Sequence, residues 1–344
     1  CIGPCKSCEI ASSSVSNTII GCGGTTQWQT SCILPNITYA FYFDIFNTKI
    51  DPIPHDSIAY IQFQTRYRHT STGATRLRVT TTALRFADLK CNKQMIMNGF
   101  DQEAAAILLS KQAMYTVLKK DEMIDIIHII DQQLIGLCKL FGNYTQNEPG
   151  SFELTSQFAF IPQFIYHLRR SPFLNKFNSS LDQIAFYRHA LLLENVANSM
   201  CMIQPMLIRY SLDQPPTPVL LDTSSLKSDC TLLLDSYFRL LIWHGATIAQ
   251  WRDMGYQEQE EYQNLKAALE QPKLETLALM KERFPTPQFA VCDQDSSLSR
   301  YLLARCNQSG QGTHQPYMSN EVLSTDEQSL SSFIKKLKVM ATSV

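Results

Sequence analysis

The sequence predicts a multidomain protein with both α and β structure, arranged as three consecutive parts. Residues 1–86 contain strand-like segments separated by turn residues such as Gly21-Cys-Gly-Gly24. Residues 87–213 repeat apolar positions at intervals of three and four, which predicts helices. Beyond the break at Gln214-Pro-Pro-Thr-Pro-Val219, strand-like and helix-like segments alternate, which predicts a mixed α/β module over residues 214–344.

The overall composition is that of an ordinary globular protein. The chain has 344 residues, of which 44% are hydrophobic, enough to fill the cores of two or three domains. Its net charge of −1 offers no general attraction for nucleic acid, so we predict no nucleic-acid partner. No charge-free apolar run reaches the roughly 18 residues of a membrane span. Because the chain opens with Cys1 and without a leader, we interpret it as a fragment of a longer protein.

Three of the eleven cysteines lie close to the start of the chain. Cys1, Cys5 and Cys8 resemble half of a zinc site, with Cys22 or Cys32 as a fourth ligand. A structural zinc site usually combines two such pairs, and only one is present, so we predict no metal here. The odd count and irregular spacing favour reduced thiols over a disulfide framework.

A β-hairpin is predicted near the end of the first part. Residues 58–65 and 77–82 alternate like strands, and the polar Ser71-Thr-Gly73 segment between them is typical of a turn. A further strand is predicted over 38–45, where aromatic and small residues alternate. These segments make the first part a β domain.

The predicted hairpin carries four arginines. Side chains two apart in a strand share a face, so we expect Arg66 with Arg68, and Arg76 with Arg78, to pool their charges in one basic patch. Such a patch suits an anionic membrane surface, which attracts each nearby basic residue by about 1 kcal/mol. A solvated outer sheet face is the alternative.

Helices are predicted throughout the second part. Asp101 precedes an alanine-rich stretch as an N-cap does, and apolar residues repeat at three and four over 124–141. Asp125, His128 and Asp131 share a face of the latter helix. This trio suggests a metal or base site, but we find no second cluster of such residues elsewhere in the sequence to complete it. We therefore interpret the trio as an exposed polar stripe.

Further elements are predicted in chain order from the same patterns. Helices are expected over 181–209, 247–254, 262–270 and 273–284, strands over 218–222, 237–243 and 288–292, and a last helix after a capping box at 325–328.

The helix predicted to begin near Ser297 carries the residue with the most credible role in chemistry. Asp293, Asp295, Ser296 and Ser297 offer N-caps, which places Arg300 in the first turn. A cation there faces the positive end of the helix dipole, at a cost of roughly 0.3–1 kcal/mol when exposed. Arg300 is therefore either an ordinary solvated side chain or a cation presented to the phosphates of a partner.

Motifs in order along almost the whole chain match the pattern of one known family. They include Phe100-Asp-Gln-Glu-Ala-Ala-Ala106, His244-Gly-Ala-Thr-Ile-Ala-Gln-Trp-Arg252 and Arg300-Tyr-Leu-Leu303. Together they resemble the Sec23 family, the GTPase-activating subunit of the COPII inner coat. The other matching stretches are residues 21–28, 60–63, 167–171, 186–189, 202–205, 218–222 and 283–285.

The resemblance implies a partial β-sandwich over 1–86, an all-helical domain over 87–213 and a gelsolin-like domain over 214–344. Family members begin with a zinc finger and a trunk domain, neither of which is present here. The resemblance therefore implies a C-terminal fragment without a cofactor of its own, because the zinc belongs to the missing N-terminal part. The cysteines at the start of this chain fall in the sandwich part and do not correspond to the family's zinc ligands.

The resemblance also implies a function for Arg300. In this family an arginine of the gelsolin-like domain enters the nucleotide site of a Sar-type small GTPase and stimulates GTP hydrolysis in trans. The family's Arg-Phe-Leu-Leu-Ser-Lys stretch matches from Arg300, with Tyr301 in place of Phe and Ala304-Arg305 in place of Ser-Lys. Ser299 stands where an alanine is usual. The chain itself is then no enzyme, and it contains no P-loop or dinucleotide-binding motif.

The resemblance further implies partners and a location. The partners are the Sar-type GTPase, the cargo-adaptor coat paralogue, proline-rich segments of the outer coat and the acidic ER membrane surface. The location is cytoplasmic and peripheral, on ER exit-site membranes and COPII vesicles. A membrane-facing coat surface favours the membrane interpretation of the patch formed by Arg66, Arg68, Arg76 and Arg78.

Two alternatives stay open. A non-activating coat scaffold or cargo-adaptor paralogue has the same architecture but does not need Arg300. An independent hydrolase would need a nucleophile beside a base, for which His244 with Cys230, or His189 with Cys201, are the pairs to consider. Neither pair has a nucleophile elbow or an oxyanion signature, so we predict against a hydrolase.

Overall fold

The computed structural model describes residues 1–8, 12–44, 53–54, 56–120, 123–174, 180–307 and 329–343. The chain divides into two compact units. One comprises residues 1–121 with the short segments 156–158 and 192–195, and the other comprises 122–155, 159–191 and 196–344. This division falls inside the range predicted as one helical domain, and the three domain ranges stay a prediction.

The hairpin predicted in the first unit is confirmed. Strand β3 (Ile58–Arg68) pairs antiparallel with β4 (Thr75–Arg85), each eleven residues long. A smaller antiparallel pair joins β1 (Lys6–Ser7) to β2 (Trp28–Gln29). The strand predicted over 38–45 does not form within the described residues 38–44, and residue 45 lies outside the described part. Its backbone makes an isolated antiparallel bridge between Ala40 and Ile2, and the rings of Phe41 and Phe43 pack on Phe63 of the hairpin.

The predicted helices of the second part are largely present. Ile130 and Leu134 are buried along α3 (Met123–Phe141) and Leu137 is half-buried, which confirms the apolar repeat. The N-cap predicted at Asp101 is also confirmed, since its Oδ1 accepts from the backbone N–H of Ala104 at 3.1 Å. The helices are α1 (Lys93–Asn98), α2 (Gln102–Lys120), α3 (Met123–Phe141), α4 (Ile161–Arg170), α5 (Leu181–Leu193) and α6 (Val196–Ile203).

The trio on α3 is not the exposed polar stripe that we predicted. Asp125 and His128 are exposed, but Asp131 is buried and forms an ion pair with Arg169 of α4. The prediction was wrong for Asp131 because its environment is set by α4, which packs against that side of α3.

A five-stranded mixed sheet is the centre of the second unit, in the order β6-β5-β7-β8-β9. Neighbouring strands are antiparallel except β8 and β9, which are parallel, so the predicted α/β module contains a mixed sheet. We predicted no strand over residues 231–235, where β7 is buried at every position. We also assigned most of residues 206–210, which form β5, to a helix. The strands are β5 (Met206–Tyr210), β6 (Thr217–Val219), β7 (Thr231–Asp235), β8 (Arg239–His244) and β9 (Gln288–Asp293).

Helices cover both faces of this sheet. Leu302 of α9 packs with Leu241 and Trp243 on one face, whereas Ala268 of α8 packs with Ile242 on the other. The two helices predicted over 262–284 form the single α8 with Pro272 inside it. The predicted capping box at 325–328 lies outside the described residues, and Ser329 caps α10. The helices are α7 (Ala246–Asp253), α8 (Gln263–Glu282), α9 (Ser299–Leu303) and α10 (Leu330–Thr342).

None of the described helices is both long and apolar enough to cross a membrane.

Candidate functional site

Arg300 lies in α9, the short helix that follows β9. The helix begins at Ser299 rather than near Ser297, and Arg300 is in its first turn as predicted. The predicted side-chain caps do not form: Leu298 occupies the N-cap position and makes no capping hydrogen bond. One reason is that Asp293 still belongs to β9, where its carboxylate is engaged elsewhere.

The side chain of Arg300 is exposed. Among the residues that the structure describes, its guanidinium has no hydrogen-bond or ion-pair partner. The inner side of the same helix is fixed, because Leu302 and the following Cys306 are fully buried against the sheet. The arrangement presents a cation on a firmly packed turn of backbone.

An ion pair fixes the end of β9 just before this turn. Arg252 Nη1 and Nη2 donate to Oδ1 and Oδ2 of Asp293 at 2.8 and 3.1 Å, and His244 Nδ1 lies 3.3 Å from Oδ1. The Arg252 guanidinium holds the pKa of Asp293 below its usual range, whereas burial lowers the pKa of His244. The next residue, Gln294, accepts from the Ala246 N–H at 3.0 Å. The backbone is therefore held in place where it passes from β9 towards α9.

The cysteines considered for a hydrolase are not activated nucleophiles. Cys230 Sγ donates to the Lys227 carbonyl and Cys201 Sγ to the Asp235 carbonyl, both at 3.4 Å. Burial raises the pKa of both thiols, that of Cys201 to about 12. Reactive cysteines need a lowered pKa, so neither thiol has the properties of a nucleophile.

The register of the hairpin separates the four predicted patch arginines into two pairs. Directly opposed residues of an antiparallel pair point to the same face. Arg76 and Arg78 lie opposite odd-numbered residues of β3, whereas Arg66 and Arg68 occupy even-numbered positions. The two pairs therefore lie on opposite faces, and the prediction of one four-charge patch was wrong. Sequence spacing gives the face within each strand but not the register between strands.

The thiols at the start of the chain include one close pair. Cys1 Sγ lies 3.7 Å from Cys5 Sγ, and Cys22 Sγ donates to the Cys5 carbonyl at 3.3 Å. Cys8 and Cys32 are exposed. Within the described residues, no group of three histidine, cysteine or acidic side chains is arranged to hold a metal ion. The absence of a zinc site stays a prediction.

Known family models match three consecutive parts of the chain. The Sec23/Sec24 beta-sandwich domain matches residues 1–87, the Sec23/Sec24 helical domain matches 101–201 and the gelsolin repeat matches 213–302. The first two models carry the same family name and together span more than half of the chain. The chain belongs to the Sec23/Sec24 family. The predicted fold, with a partial β-sandwich, a helical domain and a gelsolin-like domain, is confirmed.

A solved structure has the same fold as this Sec23/Sec24 chain. The crystal structure of the human COPII-coat protein Sec24c matches with a TM-score of 0.60 and 14% sequence identity, over 72% of this chain and 34% of that one. At this identity the likeness is one of fold. This chain thus spans 34% of the length of that relative. The family models are shared by both branches, so the comparisons do not separate Sec23 from Sec24.

Proposed function

We propose that this chain is a COPII coat component that stimulates GTP hydrolysis by a Sar-type small GTPase, with Arg300 as an arginine finger supplied in trans. The observation that carries the proposal is the exposed guanidinium of Arg300 on a short helix whose other side is buried against the sheet. Family membership supports the coat role. The resemblance of Arg300-Tyr-Leu-Leu303 to the activating motif supports the finger.

The chemistry of GTP hydrolysis suits this residue type. Negative charge spreads over the γ-phosphoryl oxygens and toward the leaving group, and a planar guanidinium donates several hydrogen bonds to those oxygens at once. The finger acts in a site that belongs to the GTPase, so this chain needs neither a nucleotide pocket nor a cofactor of its own. It is an activator rather than an enzyme.

The remaining roles follow from the coat assignment. We propose a peripheral position on the cytoplasmic side of ER exit-site membranes and COPII vesicles. The cargo-adaptor paralogue, the proline-rich segments of the outer coat and the acidic membrane surface are the partners that go with this position.

Single-turnover GTP hydrolysis by a Sar-type GTPase tests the finger. The chain is added alone and joined to the N-terminal half of a family relative, in the absence of membranes. We expect Arg300→Ala to remove most of the stimulation, because an arginine finger supplied in trans accelerates GTP hydrolysis roughly 10³–10⁵-fold. Arg300→Lys should stimulate GTP hydrolysis little more than Arg300→Ala does, since an ammonium group lacks the planar set of donors of a guanidinium.

The matched control is Arg78→Ala, which removes an exposed arginine from another element and should leave the stimulated rate unchanged. Full stimulation by Arg300→Ala would overturn the finger. No stimulation by the wild-type chain in either form would favour the alternative of a non-activating scaffold or cargo-adaptor paralogue.

A further inference from the structure

Two hydroxyl side chains flank Arg300 in the sequence. Ser299 precedes it and Tyr301 follows it. The activating motif that this stretch resembles has alanine and phenylalanine at these positions, so each change adds one hydroxyl group. In this structure both hydroxyls are engaged.

The hydroxyl of Ser299 binds a buried tryptophan of β8. Trp243 Nε1 donates to Ser299 Oγ at 3.0 Å, and both side chains are buried. An indole N–H in a core needs an acceptor, because leaving it unpaired costs about 1–3 kcal/mol. Without the Ser299 hydroxyl, Trp243 would lose this acceptor.

The hydroxyl of Tyr301 binds the turn that leads into β8. Its oxygen lies 3.0 Å from Ser236 Oγ. Ser236 Oγ donates its single proton to the Arg239 carbonyl at 3.0 Å, so Tyr301 is the donor in the pair. The Tyr301 ring also lies under the guanidinium of Arg239, with 4.2 Å between Cζ and the ring centroid.

We propose that Ser299 and Tyr301 are positioning residues, which hold the backbone of Arg300 in place through these two hydrogen bonds. The inference rests on the proposed function of Arg300. Both neighbours of Arg300 are bound to β8 or to the turn before it, so α9 has little freedom to rotate or fray. Ordering the finger before the partner binds lowers the entropy cost of reaching the transition state, which raises the maximal rate rather than the affinity.

The test compares Ser299→Ala, Tyr301→Phe and the double variant with two matched controls. Ser110→Ala and Tyr210→Phe remove hydroxyls of α2 and β5 that bond to the Ala106 carbonyl and to Glu275, and neither hydroxyl bonds to α9. We expect each change beside Arg300 to lower the maximal stimulated rate about two- to tenfold, the loss typical of one hydrogen bond. The concentration for half-maximal stimulation should stay the same, and neither control should change the maximal rate.

Hydrogen exchange provides a readout that does not depend on the GTPase. The backbone amides of residues 299–306 should exchange faster in the double variant than in either control. An unchanged maximal rate, in a chain whose stimulation does require Arg300, would overturn the positioning role. If Arg300→Ala leaves stimulation intact, the proposed function fails, and unchanged exchange of these amides would then reject the positioning role independently.

Discussion

Asp131 of α3 and Arg169 of α4 form a buried ion pair, with side chains only 2% and 4% exposed. Two charges in a core stabilise each other, but either one alone is costly because it has lost its hydration. We therefore predict that Asp131→Ala lowers the free energy of unfolding by about 3–5 kcal/mol. Urea unfolding followed by circular dichroism measures the change.

The control on the same helix is Asp125→Ala. That side chain is exposed, so its loss should change the free energy of unfolding by less than about 0.5 kcal/mol. Replacing both partners, with Asp131→Leu and Arg169→Met together, should cost less than Asp131→Ala alone, because no charge is then left in the core. Equal losses for Asp131→Ala and Asp125→Ala would contradict the burial of the pair.

At the scale of single residues, the sequence predicted the position of Arg300 but not what holds it there. The candidate N-caps placed Arg300 in the first turn of a helix, and that position is confirmed although the caps themselves do not form. The partners of Asp293 were not predicted, because they depend on β9 lying parallel to β8. A usable signal was present: His244 and Arg252 begin and end one of the family motifs, and both contact Asp293. Asp131 was misassigned for the same reason, since its partner comes from another helix.

The hairpin is the element for which the structure changes the prediction most. If the hairpin contacts an acidic membrane as proposed, a flat surface meets only one of the two arginine pairs, because they lie on opposite faces. The even-numbered positions of β3, which include Arg66 and Arg68, are all exposed, whereas the other face of β3 is mostly half-buried. We predict that removing both by Arg66→Ala and Arg68→Ala weakens binding to acidic liposomes roughly thirtyfold at low salt, at about 1 kcal/mol for each residue.

The matched control is Arg76→Ala with Arg78→Ala, which removes the same charge from the other face and should have a clearly smaller effect. Binding should weaken for every form as the salt concentration rises, because these charges are exposed. Equal losses for the two double variants would indicate that the tip of the hairpin, rather than one face, meets the membrane. Unchanged binding in both would leave only the solvated-face interpretation.

Other elements show where periodicity fails. Strand β7 is buried at every position, so its sequence has no alternation of apolar and polar residues to detect. Strand β5 is a short apolar run, and such a run fits the end of a helix as well as it fits a strand. Two helices were predicted over 262–270 and 273–284, yet α8 continues through Pro272 as one helix. Amphipathic elements such as α3 and β3 were predictable because their periodicity survives in the sequence.

At the scale of the whole molecule, the β-sandwich is incomplete within the described residues. Sandwiches pack two sheets face to face, whereas the part matched by the family's sandwich model contains only two-stranded sheets here. Strand β4 is exposed at all eleven positions, including the apolar Leu77, Val79 and Leu84. A two-stranded ribbon with so little cover is marginally stable in water, so we infer that further strands cover β4.

We predict that joining the chain to the N-terminal half of a Sec23/Sec24 relative slows hydrogen exchange of the β4 amides by at least about tenfold, as additional strands pair with β4 and cover the apolar side chains. Mass spectrometry on the two forms measures it, with α10 as the internal control because Phe333 and Leu337 are already buried in this chain. Equal exchange of β4 in both forms would mean that the hairpin is not a sandwich strand pair. It would then be an independent projecting ribbon, and its exposed apolar residues would have to be explained by a partner.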